Sequence, residues 1–152
     1  MQRRRPLVLF LVLLFSFPCY TLAGNDPYQP GLIPITLPGG AIIHAELANT
    51  PQKRAEGLMH RTHLAPDRGM LFTFSQAEAW MKNTKIPLDL IWLNEKKQII
   101  HIEQNVPICT RTDDSCPQYR PNEGALYVLE LAAGRAESLK LQRGSKLQFQ
   151  VP

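Results

Sequence analysis

The 152-residue sequence has no Cys-x-x-Cys pair, no Gly-x-Ser-x-Gly elbow, no apolar run of bilayer length and no Lys/Arg-rich tract after its first few residues. Each absence removes a class of function. A spanning helix needs about 20 apolar residues, and the run at residues 7–15 is far shorter. Without the elbow, a hydrolase nucleophile has no recognisable seat, although a dispersed Ser/His/Asp set leaves no local trace. A nucleic-acid face would show basic residues interleaved with aromatics. Of the 17 Lys and Arg, three are Arg3, Arg4 and Arg5; the other 14 stand against 13 Asp and Glu, so the remainder is nearly neutral. Nucleic acid is therefore not an expected partner, and no cofactor motif is present.

What opens the chain is a targeting pattern. Three arginines, an apolar stretch and "TLA" ending at Ala23 follow the order of a secretory signal, which predicts cleavage after residue 23 and an exported, periplasmic or secreted protein with no stable membrane span after cleavage. Cys19 is preceded by Pro18, where a lipid-attachment signal would carry a small residue. Residues 24–31, "GNDPYQPG", read as a flexible leader, and residues 32–152 as one domain. Outside the signal two cysteines are left, Cys109 and Cys116. In an oxidising compartment they are expected to close a short loop as a disulfide.

The hydrophobic pattern is that of strands. "LIPITL" and "AIIHAELA" flank "PGG", which suits a hairpin, and strand alternation puts His44 and Glu46 on one face. Thr50-Pro51 is a helix-start signal, and the spacing of Ala55, Leu58 and Met59 predicts a helix to about Arg61, with Arg54 and Arg61 seven apart. "GMLFTF" and "AWM" read as strands. In "LDLIWLN" both faces are apolar, Leu88, Leu90 and Trp92 on one and Ile91 and Leu93 with Asp89 on the other, as in a covered central strand. "QIIHIEQ" is its hairpin partner, "ALYVLEL" is apolar on both faces except for Glu130, "GRAESLKLQRG" suits a short helix ending near Gly144, and "KLQFQV" alternates as a last strand. Seven or eight strands with two short helices predict a β-rich α+β fold: one barrel-like or strongly bent, mostly antiparallel sheet.

Glu46, Asp89 and Glu130 stand where the pattern expects apolar residues. A buried carboxylate without a partner costs several kcal/mol, so each needs a cation, with Arg54, Arg61 and Lys82 at hand, or a function. In "WMKNTKIPLD", Asn83, Thr84 and Pro87 suffice for a turn. Trp80 and Lys82 are more than a turn requires and suit the lip of a ligand site. The candidate pocket is thus Glu46, Arg54, Arg61, Trp80, Lys82, Asn83, Asp89 and Glu130, for an unknown small ligand or an envelope protein, and a non-catalytic binding or accessory role stands first. Two alternatives use the same region. The carboxylates would serve a hydrolase as acid and base. Met59, Met70 and Met81, eleven residues apart, would offer thioethers to Cu(I), although methionine is also an ordinary core filler.

The stretches "ELANTPQKRAEGLMHR", "GMLFTF", "WMKNTKIPLDLIWL" and "YVLELAAG" resemble, in order and spacing, the prokaryotic family known as domain of unknown function 192. The resemblance runs from about Ile33 to Val151. It implies a compact β-rich domain, often exported, and no activity. The family pattern falls on Glu46, Thr50, Arg54, Gly57, Arg61, Gly69, Met70, Trp80, Lys82, Asn83, Asp89, Glu130 and Gly134 among others. One departure is Gly144-Ser145, where such proteins usually carry Gly-Asp.

Overall fold

The structure is a computed structural model, and it describes residues 31–74, 79–111, 113, 115–121 and 124–152. The secretory signal expected at residues 1–23, and the leader up to residue 30, lie outside them. Among the described residues there are eight strands and two short helices: β1 (Leu32–Thr36), β2 (Ile42–Ala48), α1 (Pro51–Glu56), β3 (Arg68–Thr73), β4 (Ala79–Trp80), β5 (Leu88–Leu93), β6 (Ile99–Val106), β7 (Gln118–Tyr119), β8 (Tyr127–Ala132) and α2 (Arg135–Ser138). No helix among them is long and apolar enough to cross a membrane.

Six strands form a mixed sheet in the order β1-β2-β3-β8-β5-β6. Only β2 and β3 run parallel, joined by a crossover that carries α1; the other neighbours are antiparallel. The expected β-rich α+β class holds, but the sheet is not a closed barrel, since β1 and β6 are not paired with each other. The C-terminal segment touches both of these edge strands or their margins instead: Thr36 and Gln148 exchange backbone hydrogen bonds at 2.9 Å, and Leu147 N–H donates to the Lys97 carbonyl at 3.0 Å. "KLQFQV" alternates as expected, with Leu147 and Phe149 buried, yet forms isolated bridges rather than a ladder.

Strand alternation sorts the interior into two apolar clusters, one on each face of the sheet. Ile43, Ala45, Leu71, Ile91, Leu93, Leu129 and Leu131 face one cluster, which α2 and the C-terminal segment cover. Phe72, Leu88, Leu90, Trp92 and Val128 face the other, beneath the residues that follow α1 and the segment through Met81. Every residue of β5 is buried. Burial of a large aliphatic side chain contributes about 2 kcal/mol, so a six-residue strand covered on both faces offsets the entropy of ordering it. Gly69 is required where β3 meets β8, because a Cβ there would lie 2.7 Å from the Glu130 carbonyl oxygen.

Both helices are shorter than their sequence patterns predict. Thr50 caps α1 by accepting from Lys53 N–H at 3.2 Å, with proline in the first turn. The helix then stops at Glu56, because Gly57 turns to a φ of 49° and His60 to 65°. Arg61 is therefore not on the helix, and its seven-residue spacing from Arg54 has no helical meaning. In the same way α2 ends at Ser138, well before Gly144, with Lys140 at a φ of 53°. At the Gly144-Ser145 turn the serine hydroxyl accepts from Gln142 N–H at 3.2 Å, so a polar side chain still closes the turn.

Candidate functional site

Pairing across the sheet sets out a row of residues on one face: Glu46 of β2 opposite Met70 of β3, Met70 opposite Glu130 of β8, Glu130 opposite Leu90 of β5, and Leu90 opposite Glu103 of β6. Three acids thus lie in line. The outer two have partners. Glu46 takes a bidentate pair from Arg61, Nη1 to Oε1 at 2.5 Å and Nη2 to Oε2 at 2.7 Å, and Glu103 Oε1 is 2.9 Å from His101 Nε2. These pairs are more than a third exposed and contribute at most about 1 kcal/mol each. Glu130, in the middle, is 7% exposed, and no hydrogen bond or ion pair to it exists among the described residues.

Above Glu130 lies a cavity of about 320 Å³, with Glu130 in its wall. Leu58, Phe72, Phe74 and Val128 supply apolar walls, and Arg54, Trp80 and Thr84 supply the other polar edges. The side chains are held from several directions. Phe72 and Phe74 stack with ring centroids 5.8 Å apart, and the Arg54 guanidinium lies 5.7 Å from the Phe74 centroid while Nη1 donates to the Thr73 carbonyl at 3.3 Å. Trp80 Nε1 donates to the Cys116 carbonyl at 3.1 Å. The disulfide between Cys109 and Cys116, together with the β4–β7 pairing, thereby fixes the indole at the cavity. On its other contacts, Lys82 places its ammonium 4.9 Å from the Trp80 centroid, a cation–π contact.

Burial pushes the Glu130 carboxyl up to about 8, since a low-dielectric site disfavours the charged form. At neutral pH it is a neutral acid, able to donate one hydrogen bond and accept another. That is the chemical asset of the cavity: a buried acid among aromatic and aliphatic walls, with the exposed Glu56 carboxylate also in the lining.

Of the residues expected from sequence, Arg54, Trp80 and Glu130 meet in this cavity. Glu46 and Arg61 line a neighbouring one of about 230 Å³ beyond Gly57. Lys82 does not line the Glu130 cavity but touches two residues that do, Trp80 with its ammonium and Thr84, whose hydroxyl donates to the Lys82 carbonyl at 3.4 Å. Asn83 is exposed at a φ of 54°; its carbonyl accepts from His60 N–H at 2.9 Å and its amide points at Met59 Sδ, 3.8 Å away, so it ties the turn after α1 to the turn before β5.

Asp89 is not part of the pocket. It projects to the opposite face, where it is fully buried and accepts three backbone hydrogen bonds: Oδ1 from Asn105 at 2.8 Å and Gly134 at 3.1 Å, Oδ2 from Ala136 at 2.7 Å. It caps α2 from a distant strand, replacing the side-chain cap that Gly134 cannot provide. The three acids named from sequence therefore do not form one set. Met70 and Met81 are packed in the apolar cluster, and Met59 lines the cavity.

Sequence reasoning did not single out Leu58, Phe72, Phe74, Thr84 or Val128 as site residues. A signal existed for two of them: alternation in "GMLFTF" puts Phe72 and Phe74 on the same face as Met70.

Comparison with known proteins agrees with this architecture. The profile of the domain of unknown function 192 family, described as "Uncharacterized ACR", matches residues 35–149. Among solved structures, one from Sinorhizobium meliloti, named "putative transcription regulator", is 33% identical with a TM-score of 0.67, over 78% of this chain and 93% of that one. Another, a protein of unknown function from Novosphingobium aromaticivorans, is 32% identical with a TM-score of 0.67, over 77% of this chain and 84% of that one. No curated protein matches. With its fold and most of its length accounted for in this way, the chain belongs to the domain of unknown function 192 family.

Proposed function

We propose that the protein is a small exported domain that binds an organic ligand in the cavity over Glu130, without catalysing a reaction. The observation that carries this reading is Glu130 itself: a buried carboxyl with no partner among the described residues, in the wall of a 320 Å³ cavity. No fully buried side-chain polar atom lacks a partner among the described residues, so the Glu130 oxygens reach the open cavity, where a ligand can hydrogen-bond to them. The volume is at the small end of ligand pockets.

An acid–base hydrolase draws less support. It needs a second catalytic group facing the first; Asp89 is committed to α2, Glu46 is held by Arg61, and Glu56, which shares the cavity lining, is exposed on α1. The word "regulator" in the name of the Sinorhizobium protein would point to nucleic acid, but 14 basic against 13 acidic residues outside the signal give no excess positive charge to support it.

The cavity is tested with a fragment library observed by ligand NMR. Fragments with an apolar body are expected to bind the wild type and to be lost in Ala55→Trp, where an exposed helix residue at the mouth becomes large enough to block it. If hits bind the variant as well as the wild type, the cavity is not the site. Export is supported by the order of residues 1–23 and by the disulfide, which suits an oxidising compartment. Intact-mass measurement of the protein recovered from its native cells is expected to give an N-terminus at Gly24; a chain that keeps residues 1–23 refutes export by cleavage.

A further inference from the structure

In the row Glu46–Met70–Glu130–Leu90–Glu103 the outer acids each have a basic side chain against them, Arg61 and His101 respectively. The middle acid, the most deeply buried of the three, has none among the described residues. The groups around it do not fill that role. Across the cavity the Arg54 guanidinium is engaged by the Thr73 carbonyl and the Phe74 ring. Glu56, exposed on the same helix, adds a second carboxylate to the cavity wall, and its charge acts on Arg61. Lys82 is stacked on Trp80. Met70 and Leu90, its neighbours in the sheet, are neutral.

We propose that the cavity takes a small organic monocation, a primary amine on an apolar body, whose ammonium group pairs with Glu130 while the body lies against Leu58, Phe72 and Phe74. This rests on the cavity being a ligand site. A cation serves this place better than a neutral or anionic group for two reasons. It pairs with the carboxylate by charge as well as by hydrogen bond, which a neutral or anionic group does not. It also gains from an aromatic ring: of the three that line the cavity, Phe74 and Trp80 already carry Arg54 and Lys82, and Phe72 is left to meet it. An anion would meet two carboxyl groups, Glu130 and Glu56, against the one guanidinium of Arg54.

The proton balance is explicit. In the empty cavity Glu130 holds its proton at neutral pH, because burial raises it to about 8. The incoming group is already an ammonium ion. Binding forms the carboxylate–ammonium pair, and the carboxyl proton leaves to solvent. One proton is released per ligand bound, and affinity rises about tenfold per pH unit up to the titration of Glu130 in the empty site.

Three probes of matched size separate the outcomes: 2-phenylethylamine, 2-phenylethanol and phenylacetate, titrated calorimetrically into the full-length mature protein. At pH 7 the amine is expected to bind at least tenfold more tightly than either other probe. Titrations in two buffers of different ionisation heat are expected to show close to one proton released, and affinity is expected to rise about tenfold from pH 6 to pH 7. Glu130→Gln keeps the shape of the neutral acid and is expected to lose at least tenfold in amine affinity while binding the alcohol as before. The proton count needs no variant, so the conclusion does not depend on that variant folding. If the alcohol or phenylacetate binds as tightly as the amine, and Ala55→Trp abolishes it, the cavity stands as a ligand site and the cation assignment is wrong. If none of the three binds, the cation assignment is equally wrong, and the fragment screen with Ala55→Trp decides the cavity separately.

Discussion

Asp89→Asn is expected to lower the unfolding free energy by about 3 kcal/mol and the thermal midpoint by about 10 °C. The wild-type carboxylate accepts from Asn105, Gly134 and Ala136 N–H groups, and all three bonds are charge-assisted. An asparagine has a single acceptor oxygen. If that oxygen keeps Asn105 and Gly134, its NH₂ group faces the Ala136 N–H where an acceptor stood 2.7 Å away; if it keeps Ala136, two donors are lost. Either orientation leaves donors buried against donors at a site with no exposure to water. The first turn of α2 then loses its only side-chain cap. Because α2 covers the cluster that holds Ile91 and Leu131, the loss is felt in global unfolding. A melt by circular dichroism with a midpoint within about 2 °C of wild type would show that Asp89 does not carry this load.

The second large effect lies in the pH dependence of stability. The Glu130 carboxyl is raised from its ordinary 4.5 to about 8 by burial. Between those values the folded protein holds a proton that the unfolded chain has released, so stability falls as pH rises through the window. The contribution of the neutral acid is complete below about pH 4.5 and is lost as the pH passes 8. This is opposite in sign to a carboxylate stabilised by a cation, which loses its contribution on acidification. The wild type is expected to lose a few kcal/mol from this group between pH 5 and pH 8.5, at 1.4 kcal/mol per unit of displacement. Glu130→Gln cannot ionise and is expected to remove that slope. Urea unfolding at a series of pH values checks it: parallel wild-type and Gln curves would mean that Glu130 is not a neutral buried acid.

Much of the fold is legible in the sequence because period-two alternation is local information. "LDLIWL" states outright that Leu88, Leu90 and Trp92 go one way and Ile91 and Leu93 the other, and the two clusters divide along that line. Helix ends are less legible. Ala55, Leu58 and Met59 carry a helical spacing, but Gly57 and His60 take left-handed backbone conformations and end the helix at Glu56. That choice is made by packing: Gly57 comes close enough to Phe72 that a Cβ would lie 3.2 Å from its ring.

The site divides in the same way. Glu130 is conspicuous as one acid in an apolar strand, and Trp80 as one aromatic too many for a turn. Asp89 is equally conspicuous and has another purpose, because the amides it serves at Gly134 and Ala136 are 45 and 47 residues away in the chain. No spacing rule connects them. Strand neighbours leave no local trace either: that Glu130 lies opposite Met70 and Leu90 depends on β8 inserting between β3 and β5.

The junction made by Leu147 and Gln148 has a consequence for how the protein comes into being. These residues bond to Thr36 at one sheet margin and to Lys97 at the other, and Lys97 also donates to the carbonyl of Phe149 and lies over its ring. Unpaired sheet margins are templates for wrong association. The seal on both therefore comes from residues that follow every strand of the sheet in the chain. Until they emerge, a nascent chain has its margins open, and its native contacts wait on pairings more than a hundred residues apart, as between Thr36 and Gln148, of the kind that slow folding. A chain cut before Leu147 would hold most of its apolar core and still lack the clasp over both margins.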